Sequence, residues 1–123
     1  MKFTLSVNHY ICGDKMSFPD FAMAVRDAGI GSVGITQKAL AELDLDLISK
    51  CLIDNDLRVS SLNSAGFFTG TSATKSYFSN TELIDIAAKL KADVLCVITG
   101  GLGNPPMLLS EAHGKVKEGI SEL

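Results

Sequence analysis

The sequence predicts an α/β fold built of parallel βα units, four in number, the N-terminal half of a (β/α)8 barrel. Three observations carry that expectation. Short extended runs alternate with helical patterns four times, at a repeat of about 30 residues, the length one βα unit needs. The first and third runs place small polar residues on one face and apolar residues on the other, so helices are expected on one face only. A complete barrel of eight units typically takes about 250 residues, whereas this chain has 123.

The first run is Phe3 to Asn8, in which Phe3, Leu5 and Val7 alternate with Thr4, Ser6 and Asn8. The helix after it opens at "SFPDF", where Ser17 caps the free N–H groups and Asp20, three residues on, completes a capping-box pattern. Phe21, Ala24, Val25 and Ala28 are expected on its inner face, and Gly29 supplies the left-handed stop. The second run is Ser32 to Thr36. Its helix is expected over Asp44 to Asp54, with Leu45, Ile48, Cys51 and Leu52 inward and Asn55 as the stop. The third run is Arg58 to Asn63. A connection rich in Gly, Ser and Thr, "SAGFFTGTSATKS", leads to a helix capped near Asn80, with Leu83, Ile86, Ala87 and Leu90 at helical spacing. The fourth run is Asp93 to Thr99, followed by the Gly/Pro loop "GGLGNPP". Leu109, Ala112, Val116, Ile120 and Leu123 mark a last helix, weakened at Gly114 and Gly119 by up to ~1 kcal/mol each. No interdomain linker interrupts the pattern, so residues 1–123 are expected to be a single domain. The sequence stops at the end of an amphipathic helix, and the remaining barrel units are expected to be missing.

Composition narrows the function. With 46% hydrophobic and 20% charged residues the chain is globular in composition. A net charge of −3 and the lack of a basic cluster argue against nucleic acid or an anionic membrane as partner. Cys12, Cys51 and Cys96 show no CxxC and no paired spacing, which points to reduced thiols and a cytoplasmic protein. Cys96, inside an apolar run, is expected in the core. The cysteines and the histidines, His9 and His113, have no zinc spacing.

Barrels of this kind place their sites at the C-terminal ends of the strands. The candidates are therefore Asn8 and His9 after the first run, Asn63 after the third, and Thr99 and Gly100 after the fourth. Asn8 either contacts a substrate hydroxyl or makes a turn; His9 is the candidate pocket imidazole. Phe67, with Phe68, is expected to close over a ligand as an apolar lid or to pack the loop onto the rim. The glycines after Thr99 allow a sharp turn or a close backbone approach. "GGLGN" matches neither phosphate-binding glycine pattern.

"LSVNHY", "AGIGSVGI", "LRVSSLNSAGFFTG", "VITGGL" and "EAHGKVKEGISEL" occur in that order. Together they resemble the first half of the xylose-isomerase-like TIM barrels, the sugar phosphate isomerases and epimerases. The third-strand stretch with its Gly-Phe-Phe is the most specific piece. The resemblance implies proton transfer next to a carbonyl, assisted by a divalent metal (Mn, Mg or Zn) that stabilises the enediolate. Substrate would be a small sugar or sugar phosphate. The family's ligands, two Glu, an Asp and a His or Gln, belong to later strands, so no metal ligand or catalytic residue is expected in this chain. Around Thr36 and Gln37 the sequence departs from the family, which often has an aromatic and a basic residue there. The same superfamily contains three-zinc DNA-repair endonucleases; the resemblance would put histidines where this chain has Asn63 and Thr99–Gly100, which disfavours that branch. The alternative is a non-catalytic half-barrel that binds a sugar-like ligand or forms a homodimer through open sheet edges. A receiver-type or flavodoxin-like domain would need a fifth strand, which is not found in the pattern.

Overall fold

The structure is a computed structural model and describes residues 3–70 and 76–123. One four-stranded sheet runs in the order β1 (Val7–Asn8), β2 (Ser32–Thr36), β3 (Arg58–Thr69), β4 (Val94–Gly100), every pairing parallel. The helices between and after the strands are α1 (Phe18–Asp27), α2 (Gln37–Glu42), α3 (Leu45–Asp54), α4 (Asn80–Lys89) and α5 (Leu109–Ser121). This is the parallel (βα)4 arrangement of half a (β/α)8 barrel.

The core lies on one face. Val33 and Ile35 of β2, Val59 and Leu62 of β3, Phe21 and Val25 of α1, Ile48 and Leu52 of α3 and Leu83 of α4 form a single buried cluster. Ile35, Ile48, Leu62 and Leu83 are the largest side chains fully withdrawn from water, each worth roughly 1.5–3 kcal/mol of transfer free energy. The other face carries the small polar residues. A Cβ placed on Gly34, between Val33 and Ile35, would meet Asn8 Nδ2 at 2.5 Å and Ser61 Oγ at 2.9 Å, so all three residues share that face. A bulge between Val33 and Gly34 brings Gly34 opposite Ser61 rather than Ser60. Ser60 turns instead to the Ser6 hydroxyl, 2.6 Å away, and to the Val33 carbonyl.

Local chemistry sets the helix ends. Ser17 accepts from the Asp20 N–H, and Gly29 takes φ +76° just past α1. Ser79 and Glu82 cap α4 reciprocally, one residue before the expected Asn80. After α3 the left-handed residue is Asp56, at φ 51°, not Asn55. Asn55 is buried, donates to the Cys51 carbonyl and accepts from Arg26, tying α3 to α1.

Several expectations need correction. Only Val7 and Asn8 pair in β1, and Phe3 and Leu5 are exposed, because β2 begins at Ser32 and its register leaves no strand opposite them. The inner face of α1 runs through Phe18, Phe21, Ala22 and Val25, while Ala24 and Ala28 face water. Gln37–Glu42 forms a helix, α2, that the apolar periodicity did not announce. β3 continues through Ser64–Thr69, since β4 supplies a parallel partner as far as Gly100. β4 is an edge strand, so Cys96 is half-buried rather than a core residue. In α5, Ala112 is buried and Leu109, Ile120 and Leu123 are exposed. The helix seats the Phe68 ring against Gly119, where a Cβ would collide with it. The tract 71–75 within the third connection lies outside the described residues. No helix among the described residues is long and apolar enough to cross a membrane.

Candidate functional site

At the C-terminal ends of the strands lies a cavity of about 790 Å³. Each crossover contributes to it. His9 and Tyr10 come from the turn after β1, and Thr36, Gln37 and Lys38 from the start of α2. Asn63 and Phe67 come from β3, and Ile98 from β4. Parallel strands with right-handed crossovers bring these segments together at one end.

Asn63 sits at the polar centre of this face. Its Oδ1 accepts from Asn8 Nδ2 at 2.8 Å and from the Ser61 hydroxyl at 3.2 Å. With Oδ1 so engaged, its Nδ2 keeps donors that have no protein acceptor among the described residues. Asn8 Oδ1 accepts from the Tyr10 N–H at 2.9 Å and caps the 3-10 turn His9–Cys12. Asn8 thus makes a turn and holds Asn63, without itself lining the cavity.

His9 is buried, with its ring 4.9 Å from that of Phe21 and 5.5 Å from that of Phe18. Its Nε2 lies 3.0 Å from the Met16 carbonyl. A carbonyl only accepts, so Nε2 carries a proton in either charge state, and Nδ1 is the nitrogen with a lone pair to offer when the ring is neutral. His9 forms a fixed wall of the cavity.

Phe67 and Phe68 part ways. Phe67 has φ 57°, a left-handed conformation that is uncommon for a bulky residue, and its ring lines the cavity. Phe68 goes to α5 and takes no part in a lid. Gly66 permits this bend, because a Cβ there would run into the Ile98 carbonyl.

Gln37 is the residue that the sequence did not single out as functional. It is buried, and its Nε2 donates to the Ser64 carbonyl. Its Oε1 accepts from the Tyr77 N–H at 3.0 Å and the Phe78 N–H at 3.3 Å. One amide thereby joins the start of α2, the middle of β3 and the lead into α4 along the cavity wall. No spacing rule marks such a residue, since its partners are backbone groups far along the chain.

Lys38 is ion-paired with Asp14, and Glu42 lies 3.7 Å from its ammonium. All three are well exposed, so the pairs add at most ~1 kcal/mol. Lys38 is held between two carboxylates, and all three charged residues line the cavity beside its hydroxyl, amide and aromatic groups. Among the described residues no group of three or more His, Cys, Asp or Glu converges as a metal-ligand set.

Thr99 and Gly100 do not join this cavity. They line a second hollow of about 440 Å³ against α5. Gly100 has φ 104°, and a Cβ on it would strike the Thr69 carbonyl. The close approach that this glycine allows is therefore strand to strand.

No protein-family model matches the chain. No curated protein matches it. Among solved structures the chain is similar to protein SMc04130 from Sinorhizobium meliloti 1021, at 25% identity and a TM-score of 0.76. The likeness covers 94% of this chain and 43% of that one, so the chain spans less than half the length of this solved relative.

Proposed function

We propose that the chain is the substrate-binding half of a xylose-isomerase-like sugar, or sugar phosphate, isomerase or epimerase. The observation that carries this reading is the cavity at the C-terminal ends of parallel strands, with Asn63, Thr36 and Gln37 amid Tyr10, Phe67 and Tyr77. Aromatic rings receive the C–H faces of a sugar, and amides and hydroxyls hold its oxygens. The likeness to a chain more than twice as long supports the half-barrel part of the proposal.

In this reading the chain binds and orients the sugar. Asn63 donates to a hydroxyl, Phe67 covers one ring face, and the wall of His9 and Gln37 keeps the cavity in shape. Proton abstraction and the divalent metal would belong to strands of the other half. No step of the reaction is assigned to it here.

Titration of the ¹⁵N-labelled chain with free ketoses, aldoses and their phosphates tests the reading. Shifts should concentrate at Asn63, Phe67 and the start of α2. Asn63→Ala should weaken binding about 5–10-fold, the loss of one hydrogen bond of ~1–1.5 kcal/mol. Shifts confined to other surfaces, or none at tens of millimolar sugar, would count against it.

A further inference from the structure

Among the described residues the sheet has two bare edges. β1 pairs only with β2 and β4 only with β3, so each keeps a row of backbone groups free on its outer side. Apolar side chains stand exposed beside both. Phe3 and Leu5 lie at the β1 edge, 86% and 67% exposed. Val94, Val97 and Ile98 lie on β4, between 42% and 54% exposed. The surface is correspondingly large. A compact 13.0 kDa chain exposes about 6,300 Å², whereas this one exposes 8106 Å², a surplus of about 1,800 Å². Assigning a third of the surplus to loops still leaves over about 1,000 Å² per copy, enough for a stable two-copy interface.

We propose that the 123-residue chain pairs with a second copy of itself to close an eight-stranded parallel barrel. The two edges are complementary: both strands run in the same direction, both are unpaired outward and both carry apolar residues alongside. A two-fold axis along the barrel sets β4 of each copy beside β1 of its partner, making two identical seams at once. Eight strands is the number at which such a barrel closes around side chains. Closure removes every edge and sets both cavities around one mouth. This inference rests on the fold and not on the isomerase reading. A C-terminal half, where one is supplied, would compete for the same seams.

Sedimentation equilibrium of the full chain decides the matter. At about 100 µM it should give twice the 13.0 kDa mass, with no larger species. Leu5→Lys and Val94→Lys, each at an exposed position, should raise the dimer dissociation constant at least about tenfold while far-UV circular dichroism stays unchanged. Amide exchange gives an independent readout on the unmodified chain: protection at Val94–Gly100 and around Leu5 should rise with concentration. A monomer at about 100 µM, an open-ended series of oligomers, or a dimer whose edge amides exchange independently of concentration would overturn the proposal. Sugar titration of Asn63→Ala, away from both seams, fails or succeeds separately, so the two readings are distinguishable.

Discussion

Replacing Gln37 by Leu tests whether one buried amide holds the cavity wall together. Leu nearly matches the volume of Gln, so the substitution removes hydrogen bonds without opening a large void. Three backbone groups lose their partner: the Ser64 carbonyl, the Tyr77 N–H and the Phe78 N–H. Tyr77 is about half exposed, and its N–H finds water. The cost falls on the Ser64 carbonyl and the Phe78 N–H. At ~1–1.5 kcal/mol for each group left unsatisfied, the loss is about 2–3 kcal/mol, or roughly 10 °C in Tm for a chain of this size. Urea unfolding followed by circular dichroism should show a lower midpoint at unchanged slope. Exchange of the Tyr77 and Phe78 amides should accelerate, while amides in α1 and α3 keep their relative protection. A loss below about 0.5 kcal/mol, with those two amides still protected, would refute the role assigned to Gln37.

Two further outcomes follow from packing and capping. Gly119→Ala gains helix propensity but drives a methyl into the Phe68 ring, so thermal melts should show a net loss of about 1–3 kcal/mol; a gain would mean that Phe68 does not seat there. Glu82 is held below the usual carboxylate range, first by the Ser79 backbone N–H and then by its hydroxyl. Its folded pKa is depressed, so its contribution is present above the unfolded value of 4.5 and is lost as pH falls through the lower folded one. Acid titrations comparing the chain with Glu82→Gln should differ in slope only on the acid side of that value. Parallel curves would show that the cap does not form.

Much of the fold was legible because it rests on local chemistry. Alternation in Phe3–Asn8, the caps at Ser17 and near Asn80, and the glycine after α1 are each read from a few neighbouring residues. The limits of β2, Ser32–Thr36, follow from an apolar run bounded by turn residues. The misses have a common cause. The extension of β3, the exposure of β4 and the dry face of α5 depend on which strand or helix lies alongside, and one segment's periodicity says nothing about its neighbour.

The candidate site divides in the same way. Asn8, His9, Asn63 and Phe67 were recognisable from their place at strand ends, and the structure brings His9, Asn63 and Phe67 to one cavity with Asn8 bonded behind them. Thr99 and Gly100 occupy another hollow, because Gly100 turns the chain against Thr69. The sequence by itself determined the alternation of strands and helices, α2 apart, and the polar side of the sheet, since hydrophobic spacing and caps act within a few residues. Only the tertiary structure decided that Gln37 joins three backbone groups, that Phe67 and Phe68 point to different partners, and that both sheet edges stay bare. Those facts depend on contacts between residues far apart along the chain, 27 to 41 positions for Gln37, which packing creates and no local pattern encodes.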